Sequence, residues 1–508
     1  MHYGKFPFRK IKSMKIKDFL PYLRRFFMLF NSVTFFIFIA LVIPVYFVLP
    51  QKGRPYFLLA ASWYFYMSWN VAYLGLLICF TALIFVLSGL MSKTDKASRK
   101  KAYLVTGLLL SFGSLFLFKY FDYTARISAD LLRWMGILVT PLQLGWVLPI
   151  GISFFTFQLT GYLIDVYRGE MKHEKNFIYF ALYVSFFPQL VAGPIERAQN
   201  LLPQFKKKHS FHLVTFRCNI VRVLWGYFKK VVVADRLAVF VDSVYSAPDE
   251  FGGWVTLLAT LFFAVQIYCD FSGYCDIAIG LARIMGFQLM TNFDRPYQAT
   301  SIKEFWDKWH ISLSTWLRDY IYIPLGGNRV SKLRYFWNIL VTFTASGVWH
   351  GAGLTYLLWG FCHGVMVAGH RLLFGRRKKN RNGLKTFLGW LATFVFVCLA
   401  WVLFRAENIQ DAITVFHNLT SYSDLGMLIA NGDSQLYQCG LTGAELIVAM
   451  VSIVGLFTFE ARGEKLLLSS VKWVMPLYWL VLLLLLFICL IFGVYGANVV
   501  TQFIYFQF

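Results

Sequence analysis

The run Tyr335-Phe-Trp-Asn-Ile-Leu-Val-Thr-Phe-Thr-Ala-Ser-Gly-Val-Trp-His-Gly-Ala-Gly353, which stays largely apolar as far as Leu372, carries a histidine, His350, near its middle. About 20 apolar residues cross a bilayer core as a helix, so this run is long enough to cross and fold back. An ionisable ring at that depth is costly and marks a candidate functional site. A second histidine, His310, lies in Phe305-Trp-Asp-Lys-Trp-His-Ile-Ser-Leu-Ser-Thr-Trp316. Imidazole has the unperturbed pKa best suited to proton transfer near neutral pH. The plainer alternative is a core histidine bonded to a neighbouring helix. The small residues Gly347, Gly351, Gly353, Gly360 and Gly364 let helices, or a ligand, approach the backbone closely; simple helix packing accounts for most of them.

Outward from this run the rest of the chain has the same character. Of 508 residues, 58% are hydrophobic, 19% aromatic and only 15% charged. Apolar runs recur at 26–49, 56–91, 103–121, 137–167, 177–192, 213–234, 254–285, 384–404, 443–459 and 472–500. The expected fold is an all-α polytopic membrane protein with about eleven spans, plus short re-entrant or interfacial helices. The run Tyr56–Met91 would be about 54 Å long as one helix, so a break near Ser68-Trp69-Asn70 is expected.

The net charge of +24 does not indicate nucleic acid, because the basic residues fall in loops between apolar runs. That pattern fits the positive-inside rule and contact with anionic lipids. It places the basic N-terminal extension, residues 1–25, and the cluster Lys93, Lys96, Arg99, Lys100 and Lys101 in the cytoplasm. The first run is too long for a signal-peptide core and reads as a retained span. Eight cysteines without a C-x-x-C pair argue against a disulfide framework or a zinc site, and no metal is expected.

Most of the polar chemistry lies in the middle of the chain. Phe187-Pro-Gln-Leu-Val-Ala-Gly-Pro-Ile-Glu-Arg197 reads as a broken helix whose freed backbone groups need partners. Asp270 and Asp276 sit in an apolar helix on different faces, so each is expected to bond a neighbouring helix or face water, not to form an acid pair. Ile302, Phe305, Trp306, Trp309, Leu313, Trp316, Leu317 and Tyr320 recur at helical spacing, which predicts one amphipathic helix. It is started by a Ser301…Glu304 capping box and ended by Pro324-Leu-Gly-Gly-Asn328.

The long segment from Tyr297 to Arg329, with Gly347-Val-Trp-His-Gly-Ala352 and the Pro-Gln-Leu-Val-Ala-Gly-Pro segment, resembles membrane-bound O-acyltransferases of the alginate O-acetyltransferase type. The resemblance runs from about residue 31 to the C-terminus and leaves out the N-terminal extension. It implies a ring of helices around a thin catalytic core, residues 26–500, in the bacterial cytoplasmic (inner) membrane. It also implies acetyl-CoA as the cytoplasmic acyl donor. The acetyl group would then pass to a secreted SGNH-type acetyltransferase or polysaccharide-modification complex, and on to alginate, another exopolysaccharide or peptidoglycan. A D-alanyl group, as in a related teichoic-acid system, stays open. His350 matches the family's catalytic histidine and His310 the second one. In the aromatic tail, residues 501–508, Tyr505 matches a short tyrosine motif and is implied as an acyl relay.

The chemistry is consistent with that assignment. Transfer from a thioester to a hydroxyl needs a base for the hydroxyl proton and an acid for the leaving thiolate, and one imidazole serves both in turn. No G-x-S-x-G, H-E-x-x-H or P-loop offers a competing enzyme class. The alternative class is a proton-coupled transporter or lipid-carrier flippase in which the histidines and carboxylates relay protons.

Overall fold

Among the described residues of the computed structural model (28–191, 193–375, 383–422, 438–462, 475–495 and Phe503), the regular structure is helical throughout. Five helices are long and apolar enough to cross a membrane: Val71–Ser92, Ala97–Lys119, Gly253–Ile284, Gly383–Arg405 and Gly443–Glu460. Two shorter apolar helices, Val33–Val48 and Tyr478–Phe492, join them. The all-α polytopic fold is therefore what the structure shows. The estimate of about eleven spans counted whole apolar runs, several of which the chain divides into shorter helices.

Gly253–Ile284 is the central post. Its most apolar window is 78% buried, against 17% for Ala97–Lys119. Leu109, Ile447 and Leu483 point outward from the outer helices. Apolar side chains facing out, around a core that is also apolar, are what lipid as solvent selects.

The predicted breaks are present. The run 56–91 divides into Arg54–Met67 and Val71–Ser92, and Asn70 caps the second by accepting from the Ala72 N–H at 2.8 Å. The proline-containing segment leaves the helix after Phe177–Ser185, and helix resumes at Ala198–Phe205. Its freed backbone finds side chains: Phe187 N–H donates to Ser62 Oγ at 3.1 Å and Ile195 N–H to Ser312 Oγ at 3.0 Å. Satisfying such groups internally is the condition for irregular backbone at membrane depth.

The opening run folds back as Lys332–His350 and Leu354–Phe374. The two helices pack so closely that a Cβ on Gly347 would strike the Tyr356 carbonyl, and one on Gly360 the Phe343 carbonyl. Asp270 and Asp276 do bond neighbouring helices. Asp276 pairs with Arg222 at 2.9 Å and Lys229 at 3.1 Å, and Asp270 with Lys230 at 2.6 Å. Both lysines come from a π-helical turn, Phe228–Ala234, and Lys229 also reaches Glu460 at 3.1 Å.

Candidate active site

The predicted amphipathic helix is two helices, Ile302–Lys308 and Ile311–Leu317, and the break is at His310. Ser301 caps the first by accepting from the Glu304 N–H. The Glu304 carboxylate turns back one residue further than a capping box requires and accepts from Thr300 N–H and Oγ. His310 takes left-handed backbone angles, φ 43° and ψ 54°, a region that side chains other than glycine and asparagine seldom occupy.

Asn292 stabilises this break. Its backbone carbonyl accepts from Ile311 N–H at 2.9 Å. Its side-chain Oδ1 accepts from Ser312 N–H at 3.1 Å and Ser312 Oγ at 2.8 Å, and lies 3.1 Å from His310 Nδ1. Periodicity gave no sign of the break, because the apolar positions keep their phase across one interrupted turn. The bonds that hold it come from a residue outside the periodic segment.

The break turns the His310 ring toward the central helix, where Phe271 meets it edge-on at 4.7 Å. His350 ends its own helix, and the two imidazoles come within 6.4 Å, centroid to centroid. Both are buried, at 0% and 3% exposure. Trp349 borders both rings, while Trp359 and Phe404 stand edge-on to His350 at 5.1 and 5.2 Å.

A third histidine belongs to this cluster and was missed by the sequence reading. His363 is fully buried, and its Nδ1 accepts from Trp306 Nε1 at 3.2 Å. Its ring lies 4.8 Å from Trp359, which touches His350. The signal was available, since His363 lies in the same apolar run and carries the same cost of burial as His350.

Two openings approach the cluster along the Lys332–His350 helix. A cavity of about 840 Å³ borders it from Tyr335 to Phe343; Lys303, Trp306, Ile311, Arg318 and Arg371 are among its walls. A smaller one, about 40 Å³, reaches Trp349 and His350 at the far end and is also lined by Lys119, Ser153 and Phe154. There Lys119 Nζ donates to the Trp349 and His350 carbonyls, and Tyr120 OH to that of Val348 at 2.8 Å.

The basic extension and Tyr505 lie outside the described residues. Of the tail only Phe503 is described; it is buried, 5.7 Å from the Phe271 ring and 5.1 Å from that of Tyr274.

The profile of the membrane-bound O-acyltransferase family matches residues 168–409, the stretch that holds all three histidines. "Probable alginate O-acetylase AlgI" of Pseudomonas aeruginosa is 37% identical over 444 residues, covering 86% of this chain and 82% of that protein. The chain belongs to the membrane-bound O-acyltransferase family. It is an O-acyltransferase. Its similarity extends to "Peptidoglycan O-acetyltransferase" of Helicobacter pylori, 36% identical over 80% of this chain and 82% of that protein. At 27% identity it reaches "Teichoic acid D-alanyltransferase" of Bacillus subtilis, across 51% of this chain and 69% of that protein. The relatives share the acyltransferase class and differ in the polymer that their names give.

Proposed function

We propose that this acyltransferase moves an acetyl group from cytoplasmic acetyl-CoA across the bacterial inner membrane for O-acetylation of an extracytoplasmic polysaccharide or peptidoglycan. The observation that carries this reading is the placement of His310 and His350 ring to ring between openings at opposite ends of one helix. A transporter would require one path open alternately to each side, whereas a transferase needs a donor and an acceptor to meet at a fixed base.

Two independent charge signals support the sidedness. Ala97–Lys119 starts from the basic cluster that the positive-inside rule puts in the cytoplasm, and ends at Lys119 beside His350. Lys332–His350 likewise starts with Lys332 and Arg334 and ends at His350. The large cavity, with Lys303, Arg318 and Arg371 on its walls, then faces the cytoplasm and attracts the phosphates of the donor. The small opening faces out.

In this mechanism His350 takes the proton of the acceptor hydroxyl as its oxygen attacks the thioester carbonyl. The C–S bond then breaks and the proton passes to the departing thiolate, leaving an O-ester and free thiol. His310, held by Asn292, orients the donor or polarises its carbonyl. Tyr505 is the proposed first acceptor: a phenol ester stays activated for a second transfer to a secreted SGNH-type transferase. Phe503, two residues earlier, packs on Phe271, which itself touches His310.

The test uses membrane vesicles supplied with labelled acetyl-CoA. Inverted vesicles should release CoA, and right-side-out vesicles should not. His350→Ala should lower the inverted rate by about 10²–10⁴-fold without loss of membrane insertion. Equal rates from both faces, or a near-normal His350→Ala rate, would overturn the reading.

A further inference from the structure

Four buried polar groups around the histidines have no hydrogen-bond partner among the described residues: Ser346 Oγ, Trp349 Nε1, Trp359 Nε1 and His363 Nε2. Native interiors rarely leave such groups unsatisfied, since each has given up water for nothing. Comparable groups occur elsewhere, at Ser111, Trp225 and Gln266 for example, but these four adjoin one another around the histidines. Ser346 is one turn before His350 on the same helix, Trp349 is its neighbour, and Trp359 links His350 to His363 ring by ring.

His363 is the group whose hydrogen can be placed. An indole N–H only donates, so Trp306 makes His363 Nδ1 the acceptor. In the neutral ring the proton is then on Nε2, a fixed donor with no acceptor among the described residues. Trp306, which fixes that tautomer, is also a wall of the large cavity. His363 and Trp359 thus connect Trp306, on the cavity wall, to His350 through successive ring contacts, and each carries an N–H that only an acceptor atom can satisfy. An all-apolar acyl chain reaching from the cavity past Trp306 toward these rings would leave both donors orphaned. A ligand bearing carbonyl oxygens would not.

We propose that His363 and Trp359 are binding residues for the acyl donor, their N–H groups donating to carbonyl oxygens of its thioester-bearing arm where it approaches His350. This rests on the acyl-thioester reading above and adds to it the residues that select a short, carbonyl-rich donor over a long apolar one. Trp306 is the positioning residue, acting through the His363 tautomer.

The experiment measures KM and kcat for CoA release from acetyl-CoA, and thermal unfolding, with the full chain in detergent. His363→Phe keeps the ring and removes both nitrogens, and Trp359→Phe keeps an aromatic ring and removes the N–H. Each should raise KM about tenfold with a smaller change in kcat, as expected for loss of a hydrogen bond made in the ground state. Trp359→Phe removes only an N–H that has no partner among the described residues, whereas His363→Phe also strips Trp306 Nε1 of its acceptor, so the unfolding temperature of His363→Phe should fall no further than that of Trp306→Phe. His363→Gln, which retains an N–H donor, should recover a KM within about threefold of the original. Trp306→Phe, which frees the tautomer, should raise KM less than His363→Phe does.

An unchanged KM in both Phe variants overturns the inference. So does a loss of activity that tracks a fall in unfolding temperature and is equal in Trp306→Phe and His363→Phe, since that would make His363 only a packing partner of Trp306. If the unaltered protein releases no CoA from acetyl-CoA, the donor reading itself has failed. That result is separate from a normal unaltered protein with insensitive variants.

Discussion

The Lys119 ammonium donates to the His350 carbonyl at 2.7 Å and to the Trp349 carbonyl at 2.8 Å, so the end of one helix closes the end of another. Terminal carbonyls of a helix lack intrahelical partners, and a cation is favoured at that end of the dipole. The bond therefore does two things: it satisfies the last turn of Lys332–His350 and fixes the height at which the imidazole sits. Tyr120 and Tyr123 extend the clamp, the first to the Val348 carbonyl and the second by accepting from Leu354 N–H at 3.0 Å.

Lys119→Met should lower turnover by about 10–100-fold while the protein still inserts and remains helical, because a displacement of about 1 Å at a reacting group has that scale of effect. Lys119→Arg, which retains donors, should lose less. Single-turnover CoA release in detergent is the measurement, and wild-type turnover by Lys119→Met would show that the clamp does not set the position of His350.

Asn292→Ala removes the oxygen that accepts from Ser312 N–H and Oγ beside His310. Leaving buried donors unsatisfied costs about 1–3 kcal/mol, and of the Asn292 bonds the left-handed backbone at His310 keeps only the backbone one, from Ile311 N–H to the residue-292 carbonyl. Thermal unfolding should report the loss of stability, and CoA release should fall with it. An unchanged unfolding temperature would mean that other contacts hold the break.

Buried and exposed carboxylates should behave differently. Asp276→Asn leaves Arg222 and Lys229 without their shared counter-charge in the protein interior and should destabilise by about 3–5 kcal/mol. Asp307→Asn breaks an exposed pair with Lys303 and should cost less than about 1 kcal/mol. Comparing the two by unfolding in detergent tests whether the charges on the π-helical turn are structural. A mild Asp276→Asn phenotype would speak against that.

Tyr505→Phe retains the ring and loses the hydroxyl. If the phenol carries the acetyl group, this variant should still release CoA slowly to water but fail to acetylate polymer in cells. Normal polymer acetylation by Tyr505→Phe would make the residue an interfacial anchor and send the acetyl group directly to the next protein.

Composition and charge placement by themselves determined the membrane class, the break at Ser68-Trp69-Asn70, the fold-back of the run through His350, and the separate partners of Asp270 and Asp276. These are local or solvent-driven properties. Helix length against bilayer thickness, and the cost of unpaired charge in an apolar medium, act on each segment independently of the others. The motifs around His310 and His350 could also be read directly, because they are contiguous. The tertiary structure decided what depends on contacts between distant segments. Asn292 breaks a helix that its own periodicity predicts to continue, Lys119 ties the His350 turn from 230 residues away, and Trp306 fixes the tautomer of His363. Those effects rest on hydrogen bonds, whose partners must lie within about 3.5 Å and in line. Sequence spacing carries no record of which distant side chain will occupy that position.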